Sequence, residues 1–69
     1  MKDYEVIQTY WNINDDEEDC AYYYAYAEVE ANSPEEAKKK ACEEGMFDDQ
    51  YEFPFDEIGI SDVYEINEI

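Results

Sequence analysis

Between Lys2 and Ile13 the chain sets Tyr4, Val6, Ile7, Thr9, Tyr10, Trp11 and Ile13 among polar residues. These β-branched and aromatic types fit a pleated, half-buried surface and predict a first strand. Asn14-Asp15-Asp16-Glu17-Glu18-Asp19 has no apolar residue and opens on turn formers, so it reads as a solvated hairpin loop. From Cys20 to Ala31 the pattern has period two. Ala21, Tyr23, Ala25, Ala27, Val29 and Ala31 share one face, and Tyr22, Tyr24, Tyr26, Glu28 and Glu30 share the other, which predicts a second strand.

The small side chains of the alanine face leave room for a closely packed helix. Ser33 as N-cap, Pro34 at the first helical position and Glu36 completing a Ser-x-x-Glu capping box predict where it starts. Ala37, Ala41 and Cys42 supply a narrow apolar stripe, Lys38 to Lys40 lie toward the later turns, and Gly45 is a natural C-terminal cap, so the helix is expected from Pro34 to Glu44. Met46 to Asp56 mixes acids with Phe47, Tyr51, Phe53, Pro54 and Phe55, the composition of an ordered loop pinned by aromatics. Ile58, Ile60, Val63, Tyr64, Ile66 and Ile69 predict a third strand, whose phase Asp62 and Val63 leave ambiguous.

The expected fold is therefore α+β: a small three-stranded antiparallel sheet with one helix packed on one face, ββαβ, with the third strand beside the first. Residues 1–69 read as a single domain, with no internal repeat and no Gly/Ser linker.

Charge changes the picture most. Twenty-one acids against four lysines and arginines give a net charge of −17 on 69 residues. Acidic chains of this kind are usually disordered, but those are poor in aromatics, and here Phe, Trp and Tyr make up 17% of the residues, so a folded domain is expected. Solubility alone needs a net charge of only about 2–8, so the excess implies a use for the charge itself. No apolar stretch of signal-peptide length opens the chain, and no run approaches the roughly 18 apolar residues of a membrane span; a cytoplasmic protein with no membrane partner is expected. Two cysteines without a secretory signal, Cys20 and Cys42, read as separate reduced thiols.

The absence of histidine removes the commonest general base and transition-metal ligand, and with them any Ser-His or Cys-His pair, so no catalytic residue is assigned and an enzyme is not expected. Asn12, Asn14, Asp16 and Glu18 alternate like oxygen ligands but lack the central Gly and final bidentate Glu of a calcium loop, so neither metal nor cofactor is expected. Two glycines cannot build a phosphate loop, and three consecutive lysines are the only basic run, which argues against direct nucleic-acid binding.

The acids are the constellation that remains. Residues two apart on a strand face lie about 7 Å apart, a spacing comparable to successive phosphates, and Glu28 and Glu30 begin such a row. A rigid carboxylate array can occupy a groove whose Lys and Arg normally face phosphates. The candidate partner-binding residues are Glu28 and Glu30; Asp15, Asp16, Glu17, Glu18 and Asp19 in the loop; and Asp48, Asp49, Glu52, Asp56 and Glu57 after the helix. Tyr22, Tyr24 and Tyr26 are candidate anchors that can stack on a partner's arginine. Alternatively, these tyrosines pack beneath the Met46–Asp56 loop or against a second copy.

In size, acidity and lack of catalytic residues the whole chain resembles the small phage-encoded DNA-mimic inhibitors of the anti-CRISPR and anti-restriction type. Glu28-Val29-Glu30-Ala31-Asn32-Ser33-Pro34-Glu35-Glu36-Ala37, a strand running into a capped helix, also resembles small phage and plasmid accessory proteins of the DpnD/PcfM type. The resemblance implies a non-enzymatic inhibitor, a monomer or weak homodimer, whose partner is a basic nucleic-acid-binding protein such as a CRISPR effector subunit or restriction enzyme. The alternative is a structural or regulatory module that binds a basic protein or self-associates through its tyrosine face.

Overall fold

In β1 (Lys2–Asn12) the even positions Tyr4, Val6, Gln8 and Tyr10 are buried, and in β2 (Tyr23–Ala31) the odd positions Ala25, Ala27, Val29 and Ala31 are buried. Alternation thus gives each strand one inner face, and antiparallel pairing aligns them, Val6 opposite Ala27 and Tyr10 opposite Tyr23. The computed structural model describes residues 1–16, 18 and 20–69; Glu17 and Asp19 lie outside the described residues. β3 (Ile58–Glu68) pairs antiparallel with the other side of β1, giving the order β2-β1-β3. β2 and β3 therefore run parallel to each other across β1, and α1 (Pro34–Glu43) lies in the crossover between them.

The α+β class, with a three-stranded antiparallel sheet and one helix, is as expected, but a 3-10 turn at Phe55–Glu57 sits between α1 and β3, where an irregular loop was expected. The expected strand ends also shift. The β1–β2 ladder closes at Tyr10–Tyr23, so Cys20 to Tyr22 have no strand partner, and Ile13 turns out of β1 with its N–H donated to the Glu57 carbonyl at 2.9 Å.

The ambiguous phase of the last strand has a simple origin. Between the Tyr10–Ile60 and Gln8–Tyr64 pairs, β1 contributes Thr9 alone while β3 contributes Ser61, Asp62 and Val63. The bulge is held locally, the Ser61 hydroxyl accepting from the Val63 N–H at 3.1 Å. It removes Asp62 and Val63 from the ladder, and because it adds two residues, Tyr64 and Ile66 resume on the same face as Ile58 and Ile60.

The helix terminates as its sequence dictates. At the start the Ser33 hydroxyl accepts from the Glu36 N–H at 3.2 Å, while the Glu36 carboxylate accepts from the Asn32 N–H at 3.4 Å, one residue before the cap. At the end Glu44 is the cap rather than the last helical residue, and Gly45 takes φ +62°. The Met46 N–H reaches the Ala41 carbonyl and the Gly45 N–H that of Cys42, the Schellman pattern that turns the chain back over the sheet. Ala37 and Ala41 are buried against the alanines of β2, whereas Cys42, expected in that stripe, is exposed because it has rotated past the contact face. Phe47 is buried, with the Tyr64 ring 6.1 Å away, and Met46, Tyr51 and Phe53 pack against the same core. Tyr10 sits among the rings of Tyr23, Tyr51 and Phe53 at centroid distances of 5.5, 5.0 and 6.4 Å. Among the described residues, no helix is long and apolar enough to cross a membrane.

Candidate functional site

The helix and the segment after it cover one side of the sheet and leave the other open. On the open side the register forms rows across β2 and β1: Glu30 opposite Asp3, Glu28 opposite Glu5, Tyr26 opposite Ile7, and Tyr24 opposite Thr9. β3 extends two of them, with Asn67 beside Glu5 and Glu65 beside Ile7. Beyond these rows Trp11 lies over Gly59 on β3, where an added Cβ would overlap the indole, and the Tyr22 ring meets Trp11 edge-on at 6.1 Å. One end of the face is thus carboxylate and the other aromatic.

Backbone hydrogen bonds show how closely the acids approach. The Tyr26 N–H and C=O point away from β1, since both are bonded to the Gln50 side chain. Ile7–Tyr26, and by alternation Glu5–Glu28 and Asp3–Glu30, are therefore non-hydrogen-bonded pairs, the sites where opposite side chains come nearest, with Cβ atoms about 5 Å apart. Like charges directly opposite are destabilising there.

All four lysines are engaged elsewhere. Lys2 pairs with Glu68 at 3.5 Å, and Lys39 with Glu43 at 4.0 Å. Lys40 pairs with Glu36 at 3.6 Å and donates to the Glu30 carbonyl at 2.7 Å, while Lys38 lies 4.7 Å from the Tyr64 ring centroid. The helical three are carried by the layer that covers the opposite side of the sheet.

The sequence-predicted residues fall into three places. Glu28, Glu30, Tyr22, Tyr24 and Tyr26 share the open face, and the tyrosines are 61%, 55% and 52% exposed, so they do not pack beneath the loop after the helix. That loop lies on the inner side because Phe47, Tyr51 and Phe53 hold it there. Asp15, Asp16 and Glu18 are exposed at the hairpin end, and the candidates Glu17 and Asp19 are outside the described residues. Asp48, Asp49, Glu52 and Asp56 are exposed on the covering segment, across the sheet from Glu28 and Glu30. Glu57 is half-buried and accepts from the Asn14 side chain at 3.2 Å, tying the last strand to the hairpin end. Asp3, Glu5 and Glu65, which the sequence pattern did not single out, join the open face. The odd-position alternation of β1, with Tyr4, Val6 and Tyr10 inward, carried the signal for the first two.

Two polar residues hold the architecture behind this face. Gln8, 3% exposed in the core, accepts from the Tyr51 hydroxyl at 2.6 Å and donates to the Tyr64 hydroxyl at 3.0 Å. Burial of the rings pushes both tyrosine pKa values up. Gln50 accepts from the Tyr26 N–H at 2.9 Å and donates to the Tyr26 and Met46 carbonyls at 2.7 and 2.9 Å. Its amide thereby occupies the edge of β2 as a neighbouring strand would.

No three metal-ligating side chains converge among the described residues. Asn12 Oδ1, in the alternating-ligand run, accepts from the Asn14 N–H at 2.8 Å. Both cysteines are free, Cys20 half-buried and Cys42 exposed. No family model, curated protein or solved structure matches the chain.

Proposed function

We propose that the protein is a non-enzymatic inhibitor that presents carboxylates where a DNA-binding protein expects phosphates. The observation that carries this reading is the open sheet face, where Asp3, Glu5, Glu28 and Glu30 stand in cross-strand pairs on rigid strands with no lysine among them. A surface that only keeps a domain soluble would intersperse both signs. A face that concentrates one sign at its closest pairing sites accepts instability to keep a field.

Dimensions support the same reading. The molecule measures 41 × 20 × 15 Å, so its net −17 amounts to about one charge per 2.4 Å of length. Duplex DNA carries one per about 1.7 Å and a single strand one per about 3.4 Å. A basic groove shaped for nucleic acid would meet a comparable linear charge.

The partner class that fits is the basic DNA-reading surface of a host defence nuclease complex, foremost the motif-reading cleft of a CRISPR effector, where arginines meet base edges beside the phosphate track. The test is a pull-down of the tagged protein from host lysate with and without excess duplex DNA. Retention of a DNA-binding defence subunit that DNA displaces is the expected result. Retained partners indifferent to DNA would replace this reading with a regulatory module docking a basic protein through the tyrosines, which their exposure favours as the second reading.

A further inference from the structure

The open face carries two aromatic residues with no structural employment. Tyr10, Tyr22, Tyr23, Tyr51 and Tyr64 each pack on another ring, whereas among the described residues Tyr24 and Tyr26 have no aromatic partner and stand more than half exposed. They are two apart on one face of β2, about 7 Å along the strand. Between them and β3 lies an open groove of about 370 Å³ lined by Ile7, Thr9, Tyr24, Tyr26 and Glu65. Ile7 and Thr9 form its floor, and Glu65 closes its far side from the strand beyond, two inter-strand spacings or about 9.5 Å from Tyr26. Glu65 is exposed, and its Oε2 accepts weakly from the Asn67 amide at 3.5 Å.

These features select one kind of occupant. A flat group between two rings needs van der Waals contact of about 3.5–4.0 Å on each side, and the roughly 7 Å between the Tyr24 and Tyr26 backbone positions gives room for it. Every charge near the groove is negative, with Glu5 and Glu28 in the next row, so the group is a cation. A guanidinium is planar, weakly hydrated and forked toward a carboxylate, whereas an ammonium is a compact hydrated point charge that gains little from two flat walls.

We propose that this groove is an arginine-reading slot, in which a side chain of a basic protein partner inserts its guanidinium between Tyr24 and Tyr26 and pairs with Glu65. This rests on the proposed function to the extent that both require a basic partner, but it assigns to one row of the face a preference that charge alone does not give. The slot recognises arginine over lysine, and the carboxylate rows beside it supply attraction without that preference.

The test is a calorimetric titration of the protein with oligoarginine and with oligolysine of equal length. The wild type binds oligoarginine about tenfold more tightly, the gain of stacking on two rings. Replacing both Tyr24→Ala and Tyr26→Ala brings the ratio close to one while oligolysine affinity stays within about twofold, and Glu65→Gln reduces the ratio several-fold. The Tyr24→Phe, Tyr26→Phe pair retains the ratio, because the ring faces and not the hydroxyls form the slot. Equal binding of the two peptides by the wild type overturns the slot and leaves the basic-partner reading standing. Absence of binding to either peptide at low salt overturns both.

Discussion

Replacing Glu28 with lysine should make the protein more stable and a worse ligand at once. Glu28 faces Glu5 at a non-hydrogen-bonded pair, with Cβ atoms about 5 Å apart and their splayed carboxylates at about 6 Å. At water-like dielectric two unit charges at that distance repel by about 0.7 kcal/mol. Reversing one sign turns the repulsion into attraction of similar size, a change of about 1.4 kcal/mol, which side-chain ordering reduces to about 1. For a domain of this length that raises Tm by about 4–8 °C, and Glu28→Gln, which removes the charge without reversing it, by about half as much. The assay is thermal unfolding followed by circular dichroism at low and at high ionic strength. The gain should shrink at about 1 M salt, where the screening length falls to about 3 Å, shorter than the pair separation. Binding to a basic partner should weaken in parallel. An unchanged or lowered Tm for Glu28→Lys at low salt would refute the claim that this face keeps its charge against its own stability.

Three further outcomes follow from the geometry. Gln50→Leu removes three hydrogen bonds and exposes the Tyr26 backbone, lowering stability by about 1–3 kcal/mol and raising the hydrogen-exchange rate of the Tyr26 amide above that of its strand neighbours. Tyr51 and Tyr64 have pKa values raised in the folded state, so the fold holds their protons more tightly than the unfolded chain. Their contribution is fully present below the unfolded value of about 10 and is lost as pH rises through the folded values, and melts in alkaline buffers should show Tm falling from about pH 10 upward. Gly59→Ala forces the Trp11 indole off β3, and tryptophan fluorescence should shift toward that of a solvated ring.

What was legible in the sequence was what local chemistry determines. The alternation of Ala25, Ala27, Val29 and Ala31 against Tyr24, Tyr26, Glu28 and Glu30 identified both faces of β2, and Ser33, Pro34 and Glu36 marked the helix start, since both signals operate within a few residues. The phase of β3 was not legible, because the bulge at Ser61 to Val63 depends on how many residues β1 opposes to it. Gln8 and Gln50 carry no local signal of their roles, since their partners Tyr51, Tyr64 and Tyr26 lie far along the chain. The candidate site was half legible. Glu28 and Glu30 stood out by their own alternation, but pairing with Glu5 and Asp3 is a property of register, and the division of the remaining acids between the two sides of the sheet is a property of the crossover.

The amide of Gln50 and the ammonium of Lys40 have a bearing on assembly. Together they occupy backbone groups of Tyr26 and Glu30 along the rim of β2, while on the rim of β3 no side chain bonds the Tyr64 to Glu68 backbone among the described residues. A sheet that can be extended at one rim only cannot polymerise. Two copies joined through β3 would present at both ends the β2 rim on which Gln50 and Lys40 hold the Tyr26 and Glu30 backbone. Unlike an unguarded sheet, such a pair is a terminated unit, so at high concentration the protein should reach a finite oligomer rather than a fibril.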